Sequence, residues 1–157
     1  MQYNIPAVKI IYTDEYNLKK YGELEPATDG SAGYDVRACI KESIEISRGE
    51  TALVDLGIRI HIDNPHYAAL LIPRSGLGVK GLVLGNLTGL IDSDYQGPVK
   101  AALWNRRGCQ TDPIIINPGD KIAQLLFIPV VHPYFQTVDS FEATERGGNG
   151  FGSTGVA

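Results

Sequence analysis

The sequence predicts an all-β domain, either a sandwich or a barrel. Short apolar or alternating runs recur along the chain, and Gly, Pro, Asn or Asp stands at the ends of each run. Almost no stretch repeats its apolar residues every 3.6 positions, as an amphipathic helix does. Strand-length runs at similar intervals are typical of sandwiches and barrels. A chain of 157 residues buries one sizeable core without disulfides, so we expect a single domain.

The first half of the chain contains strand-like runs and little else. The run 8–12 is short and β-branched, which predicts a strand. The polar stretch 14–25 has room for a helical turn, but Pro26 and the glycines after it stop anything longer. The next predicted strands are 34–40, 43–46, 51–54, 57–62 and 67–72.

Pro73 interrupts this pattern, and the piece after it is the predicted short helix. Ser75 stands at an N-cap-like position before the apolar Leu77 and Val79. The strand pattern then resumes, with an Asn-Pro-Gly-Asp turn at 117–120. The remaining predicted strands are 82–84, 89–91, 99–104, 114–116, 122–131 and 134–138.

Charge and composition argue against several classes of protein. The formal net charge is -4 and no run is rich in Lys or Arg, whereas a nucleic-acid surface needs a clustered basic face. The first residues lack the features of a signal peptide, and no apolar run approaches the roughly 18 residues of a membrane span. We therefore expect a cytoplasmic protein with no nucleic-acid or membrane partner. Cys39 and Cys109 do not form a CxxC zinc motif and are expected to be free thiols.

The segment 89–97, GLIDSDYQG, carries two carboxylates at the predicted tip of a β-hairpin. Asp92 directly follows Leu90 and Ile91, so we expect these apolar neighbours to withdraw it from water and make it a candidate general base. Asp94 is most simply a turn residue. Tyr95 offers a rigid ring either to a ligand or to a cross-strand neighbour.

Polar residues in three other stretches need partners or ligands. Asp35 lies in an apolar strand, where it either pairs with Arg37 or caps a turn, or has a functional role. Arg74, Ser75 and Gly76 precede the predicted helix, whose N-terminus is an anion site unless the serine is merely a cap. Asn86 is either a turn residue or a base-reading amide, and Gln124 needs a partner within its apolar strand.

The last residues, ERGGNGFGSTGVA, contain five glycines. Such a segment does not build its own core, and we expect it to be mobile when alone. It combines groups that suit a nucleotide: Arg146 for phosphate, Phe151 for stacking on a base, and glycine amides that approach an anion closely.

Together, five stretches in one order resemble the five motifs of the trimeric dUTP nucleotidohydrolases (dUTPases), bacterial type. They are AGYDVRA, PRSGLG, GNLTGLIDSDYQG, GDKIAQL and RGGNGFGSTG, and they span residues 32 to 155. The resemblance implies a jelly-roll-like distorted β-barrel with one short helix, assembled as a homotrimer with composite active sites. Residues 1–144 would form the barrel, and 145–157 a flexible glycine-rich lid of the same domain.

The resemblance implies hydrolysis of dUTP to dUMP and pyrophosphate, which keeps uracil out of DNA and supplies dUMP for thymidylate synthesis. By similarity, Asp92 is the general base that activates the water attacking the α-phosphate. Mg²⁺ is held by the triphosphate and by waters without direct protein ligands, and Asp35 reaches its outer shell. The residues that match the family's phosphate site are Arg74, Ser75, Gly76 and Gln124, with Arg146 on the γ-phosphate.

The same resemblance assigns the nucleoside contacts. Asn86, Leu90, Ile91 and the backbone near Lys100 match the uracil site, and Tyr95 matches the ring that packs under deoxyribose and excludes a 2'-hydroxyl. Phe151 matches the aromatic that stacks on uracil, with Gly152 and Ser153 completing the lid.

Two departures from the family pattern stand out. Asn86 follows Ser75 by eleven positions, one fewer than in many members, which predicts a trimmed helical turn or strand between them. Lys100 occupies a place that is often apolar, which favours a backbone role there. Two alternatives stay open: a dCTP deaminase of the same fold, which would need a glutamate beside the cytosine amine, and a non-catalytic β-barrel binding module.

Overall fold

The computed structural model describes residues 7–108, 112–144 and 147–148, and it confirms an all-β architecture. Its elements in chain order are β1 (Lys9–Tyr12), α1 (Glu15–Tyr21), β2 (Tyr34–Arg37), β3 (Ile44–Ile46), β4 (Thr51–His61), β5 (Tyr67–Ile72), α2 (Ser75–Val79), β6 (Leu82–Leu84), β7 (Gly89–Ile91), β8 (Pro98–Asn105), β9 (Ile114–Ile116) and β10 (Lys121–Pro129).

The strands form two large antiparallel sheets. One has the order β1-β4-β8-β6 and the other β2-β10-β5-β7, while β3 and β9 form a small sheet of two strands. Alternating side chains of the large sheets enclose one core, to which Val54 and Leu103 contribute from the first sheet and Leu125 from the second. Burying a leucine side chain in this way stabilises the fold by about 1.5 to 3 kcal/mol.

The two strands predicted at 51–54 and 57–62 are a single long strand, β4. Its pairing with β8 shifts register between Asp55 and Arg59, and Gly57 within the shift has φ +69°. The sequence punctuation at Gly57 thus marks an irregularity inside one strand, because a glycine with positive φ bends a strand without ending it.

The prediction of one short helix is wrong by one, since the polar stretch between β1 and β2 forms a second short helix, α1. The Asp14 side chain caps α1 by accepting hydrogen bonds from the amides of Tyr16 (2.9 Å) and Asn17 (3.3 Å). Gly22 ends the helix at φ +77°. A cap of this kind is worth about 0.5 to 2 kcal/mol, which is enough to stabilise a two-turn helix that packs on the barrel.

The predicted strand at 134–138 is also wrong. Beyond Val130, the described residues through Thr144 are exposed and carry no strand, and Tyr134 and Phe135 are 91% and 86% exposed. We call residues 131–144 the arm. Its β-branched and aromatic residues favour a strand, but no strand within the described part of the chain pairs with it, and strands form only in pairs.

Two further predictions concern anchoring and cysteines. Among the described residues, no helix has the length and apolar character needed to cross a membrane. Cys39 is a free thiol, as expected, whereas Cys109 lies outside the described residues.

Candidate active site

The acidic segment 89–97 connects the two large sheets. On β7, Gly89 lies opposite Leu71 of β5, whereas β8 pairs with β4 and β6. The predicted hairpin is therefore wrong, because the strands on either side of the acids belong to different sheets. The connection itself turns tightly, since the amide of Tyr95 donates to the carbonyl of Asp92 at 3.2 Å.

A pocket of about 390 Å³ opens beside this connection. Among its lining residues are several that the sequence singled out: Asn86, Leu90, Ile91, Asp92, Tyr95 and Lys100. The pocket therefore combines an apolar wall with an amide, a carboxylate and a phenol. This combination suits a small ligand that has a ring with polar edges.

Asp92 is exposed in the single chain, so the expectation that its apolar neighbours withdraw it from water is wrong. The reason is the alternation of β7, which buries Ile91 and leaves Leu90 64% exposed. A carboxylate exposed at a pocket wall can accept a proton from a bound water.

Asp94 is likewise exposed, in the turn between the sheets. It borders a second cavity, of about 610 Å³, which Asp92 also lines together with His61 and His132. Asp92 is thus the acid that faces both cavities, whereas Asp94 is absent from the lining of the first.

Tyr95 packs against its own connection. Its hydroxyl donates a 3.0 Å hydrogen bond to the carbonyl of Pro98, and the ring lies over Gly97, where a Cβ atom would overlap it. The side chain remains 43% exposed. The ring is therefore fixed at the pocket wall with part of its surface free for a ligand.

Asn86 lies in the turn after β6. Its carbonyl accepts the amide of Thr88 at 2.7 Å, and Leu87 between them has φ +62°. The Asn86 side-chain nitrogen lies 3.6 Å from the position of a Cβ at Gly89. The turn therefore holds the amide close to the strand edge, at the wall of the first pocket.

A second group of predicted residues surrounds the start of α2. The N-cap of α2 is Arg74 rather than Ser75, and no side chain caps the helix. The Arg74 carbonyl accepts the amides of Leu77 (3.1 Å) and Gly78 (2.9 Å). The predicted Ser75 cap is therefore wrong, because the helix already begins at Ser75, one residue earlier than a cap at Ser75 would require. Ser75 and Gly76 form an exposed first turn, where backbone N–H groups lack helical acceptors and suit an anion.

Asp35 pairs with Arg74 and Lys121. Its Oδ1 lies 2.8 Å from Arg74 Nε, and its Oδ2 lies 2.9 Å from Lys121 Nζ. Of the alternatives open from the sequence, pairing with Arg37 is wrong, since Arg37 donates to the Gly119 carbonyl at 2.9 Å instead. Partial burial raises the pKa of Asp35, but the Lys121 hydrogen bond and the nearby cationic charges outweigh it, so this pKa lies below its usual value.

Gln124 finds a partner in the backbone of the same site. Its Nε2 donates to the Pro73 carbonyl at 3.0 Å, and its Oε1 lies 2.8 Å from the position of a Cβ at Gly33. Gly33 therefore leaves the space that the amide needs. Gln124 also lies opposite Asp35 and Ile72 in the sheet, which brings the ends of β2, β5 and β10 together at this group.

Lys121 is a site residue that the sequence reasoning did not single out. The signal was present, because Lys121 lies inside the stretch GDKIAQL at the start of a strand, beside the acid-containing turn. Its contact with Asp35 joins residues distant in sequence, so spacing alone did not reveal it.

The residues predicted for the glycine-rich tail, Arg146, Phe151, Gly152 and Ser153, lie outside the described residues. Within the described part, groups of three or more His, Cys, Asp or Glu side chains arranged to hold a metal ion are not found.

Sequence comparisons agree with the arrangement of these motifs. The matching family model is described as dUTPase, and the match covers residues 20–155. A relative from Paraburkholderia xenovorans (strain LB400), named deoxyuridine 5'-triphosphate nucleotidohydrolase, is 57% identical over 130 residues, which are 82% of this chain and 86% of the relative.

Solved structures of similar shape carry the same family name. One is a mutant dUTPase of Staphylococcus bacteriophage 80alpha with dUpNHpp, at a TM-score of 0.79 and 26% identity, covering 96% of this chain and 99% of that chain. Another is a mutant dUTPase from phage phi11 of S. aureus, described with a structural Mg(II) ion, at a TM-score of 0.72 and 25% identity, covering 87% of this chain and 99% of that chain.

Proposed function

The chain belongs to the dUTPase family, and we propose that Asp92 is the general base with which it hydrolyses dUTP to dUMP and pyrophosphate. Its fold is the jelly-roll-like barrel of that family. The observation that carries the assignment of the base is the pocket of about 390 Å³, in which Asp92 lies with Asn86 and Tyr95.

Asp92 removes a proton from a water molecule that attacks the α-phosphate. Its exposed position at the pocket wall supports this role, because the carboxylate is free to approach a water between itself and a bound substrate. Positioned general-base catalysis contributes about 10² to 10⁴ in rate. The rest of the acceleration comes from positioning the triphosphate and from stabilising its charge.

The first pocket takes the nucleoside. The side-chain amide of Asn86 and the backbone of residues near Leu90, Ile91 and Lys100 present donors and acceptors to uracil. The Tyr95 ring packs against the deoxyribose and leaves no room for a 2'-hydroxyl. Its hydrogen bond to Pro98 supports this role, since a fixed ring excludes a larger sugar better than a mobile one.

The second group takes the triphosphate. Arg74 supplies a guanidinium, and the first turn of α2 supplies the amides of Ser75 and Gly76, which together suit phosphate oxygens. Gln124 holds the loop before α2 by its hydrogen bond to the Pro73 carbonyl. Both cations beside Asp35 give this group a net positive charge, which favours a polyanionic ligand.

Mg²⁺ is the expected cofactor, and the donor set fits a magnesium ion held mainly by the substrate. Mg²⁺ keeps several waters and binds phosphate oxygens with few carboxylates. Asp35 would reach the outer shell of such an ion, and the contact of its carboxylate with Arg74 supports this role. Bound Mg²⁺ would neutralise phosphate charge and hold one geometry of the triphosphate.

A homotrimer with composite sites completes the proposal. Arg74 and Gln124 do not line the pocket that contains Asp92. The nucleoside pocket and the triphosphate group therefore form one site most simply if different subunits supply them. The exposed arm, with Tyr134, Phe135 and Phe141 on its surface, would carry Arg146 and Phe151 to a neighbour. The cytoplasmic location expected from the sequence stays a prediction.

The chemistry is tested by hydrolysing dUTP in water enriched in ¹⁸O. Label in dUMP shows attack on the α-phosphate, whereas label in pyrophosphate would contradict it. Parallel incubation with dCTP tests the deaminase alternative, which would release ammonia. No product from either substrate would favour a binding module.

Composite sites are tested by complementation between two inactive chains. One chain carries Asp92→Asn and the other ends at residue 145. If each site takes its base and its tail from different subunits, then mixed trimers regain part of the activity. If both come from one subunit, the mixture stays inactive. Sedimentation of each chain alone checks that both remain trimeric.

A further inference from the structure

Lys121 is linked to the Arg74 guanidinium in two ways, through Asp35 and through its own backbone carbonyl. Its ammonium lies 2.9 Å from Asp35 Oδ2, while Asp35 Oδ1 lies 2.8 Å from Arg74 Nε. Its backbone carbonyl accepts a 3.2 Å hydrogen bond from Arg74 Nη1. Lys121 thus holds Arg74 directly through its backbone and indirectly through the shared carboxylate.

These contacts fix the plane of the guanidinium. Nε and Nη2 of Arg74 face Asp35, the latter at 3.4 Å, and Nη1 faces the Lys121 carbonyl. Since a guanidinium has five N–H donors in one plane, two of them remain for a ligand. The Arg74 side chain is 35% exposed, so these donors are within reach of an anion.

The charge of Lys121 decides the charge of the group. Arg74 and Asp35 alone would form a neutral pair, and the carboxylate would hold the guanidinium against a competing phosphate. With Lys121 the three side chains carry one net positive charge, because Asp35 is shared between two cations while two Arg74 donors remain for a ligand. An anion therefore meets an attractive site rather than a neutral one.

We propose that Lys121 is a positioning residue for dUTP hydrolysis: it anchors Asp35 and so leaves the Arg74 guanidinium oriented toward, and available to, the triphosphate. This inference rests on the proposed placement of the triphosphate at Arg74. It assigns Lys121 no contact with the reacting atoms.

The test compares Lys121→Met with Lys121→Arg. Steady-state kinetics with dUTP and Mg²⁺ are measured over a range of salt concentrations. We expect Lys121→Met to raise KM by about fivefold to tenfold, as for a partly buried ion pair, with kcat changed less than KM. The salt dependence of KM should weaken because one attractive charge is gone. Lys121→Arg keeps the charge and should restore KM to near the wild-type value.

The matched control is Lys9→Met. Lys9 pairs with Asp63 at 2.6 Å in the other large sheet, so this variant removes one lysine–aspartate pair and the same unit of charge. Its KM and salt dependence are expected to stay at wild-type values. Equal kinetics of the Lys121→Met and Lys9→Met enzymes would overturn the inference, as would a loss confined to kcat and thermal stability.

Two further variants distinguish failure of the Lys121 inference from failure of the proposed phosphate site. If Lys121→Met does not fold, Lys121→Gln is measured instead, since its amide can still donate to Asp35 but lacks the charge. Arg74→Met reports on the proposed phosphate site itself. If Arg74→Met raises KM while neutral variants of Lys121 behave like the control, only the present inference fails. If Arg74→Met also leaves KM unchanged, the phosphate placement fails with it.

Discussion

A Cβ atom at Gly97 would overlap the phenol ring of Tyr95. The ring is held in that position by the 3.0 Å hydrogen bond from its hydroxyl to the Pro98 carbonyl. The absence of a side chain at one residue thus decides where the proposed sugar-facing ring lies.

Gly97→Ala is expected to displace Tyr95 and weaken selection for deoxyribose. We expect kcat/KM for dUTP to fall by about tenfold, equivalent to about 1.4 kcal/mol, and to fall less for UTP. Steady-state kinetics with dUTP and with UTP give the ratio of the two kcat/KM values. Gly30→Ala is the control, because a Cβ there meets nothing within 4 Å. An unchanged dUTP-to-UTP ratio of kcat/KM in Gly97→Ala would exclude Tyr95 as the residue that selects deoxyribose over ribose.

Asp92→Asn is expected to lower kcat by about 10² to 10⁴ because it removes the proposed proton acceptor. The fold should be unaffected, since the side chain is exposed. Asp94→Asn removes a neighbouring exposed carboxylate that does not line the first pocket, and it should keep turnover near wild type. Pyrophosphate release and thermal unfolding are measured for both. Similar turnover in the two variants would count against Asp92 as the base.

Gly57→Ala is expected to destabilise the fold more than Gly49→Ala. Both glycines have positive φ, +69° and +81°, so each alanine adds about 1 to 2 kcal/mol of backbone strain. Only at Gly57 would the new Cβ lie 3.0 Å from Cys39 Sγ, whereas a Cβ at Gly49 meets nothing within 4 Å. Urea unfolding should therefore show a larger loss for Gly57→Ala. Equal losses would mean that the Cys39 contact relaxes freely.

Asn105→Leu is expected to lower the free energy of unfolding by about 2 kcal/mol. Asn105 is fully buried, its Nδ2 donates to the Ile46 carbonyl at 2.9 Å, and its Oδ1 accepts the Arg107 amide at 3.1 Å. Leucine would leave both backbone groups without this partner, and each buried unpaired group costs about 1 to 3 kcal/mol. The comparison variant is Thr28→Val, which removes an exposed 2.9 Å hydroxyl contact with Ser31 and should cost less than about 0.5 kcal/mol.

The free energy of unfolding should depend on pH in the acid range because of Asp35. Because the pKa of Asp35 in the folded chain lies below the usual 3.8, the ionised carboxylate stabilises the fold above about pH 3.8. That stabilisation is lost as the pH falls from there through the lower folded-state pKa. Asp35→Asn should therefore be less stable than wild type at neutral pH, with the difference shrinking below about pH 4.

Unfolding at fixed protein concentration across this range measures the effect. Asp29→Asn, which changes an exposed loop carboxylate, is the control and should show no such convergence. A difference between wild type and Asp35→Asn that stays constant down to pH 3 would contradict the ion-pair origin.

The amino-acid sequence was enough to predict the strand pattern and several residues that line the first pocket. The strands at 67–72, 82–84, 89–91 and 114–116 begin and end where predicted, because alternating apolar residues and turn residues are local signals. The pocket residues Asn86, Asp92 and Tyr95 were predicted together because one short segment and the turn before it carry them all.

Which strands and charged side chains meet became visible in the folded chain alone. It placed β7 beside β5 rather than β8, and among the described residues it gave the arm, with Phe135, no partner strand. It also paired Asp35 with Arg74, which lies 39 positions away, and with the still more distant Lys121, instead of the nearby Arg37. The alternation of residues along a strand predicts the face of the sheet on which each side chain lies. The residue that it contacts on another strand depends on how the whole chain packs.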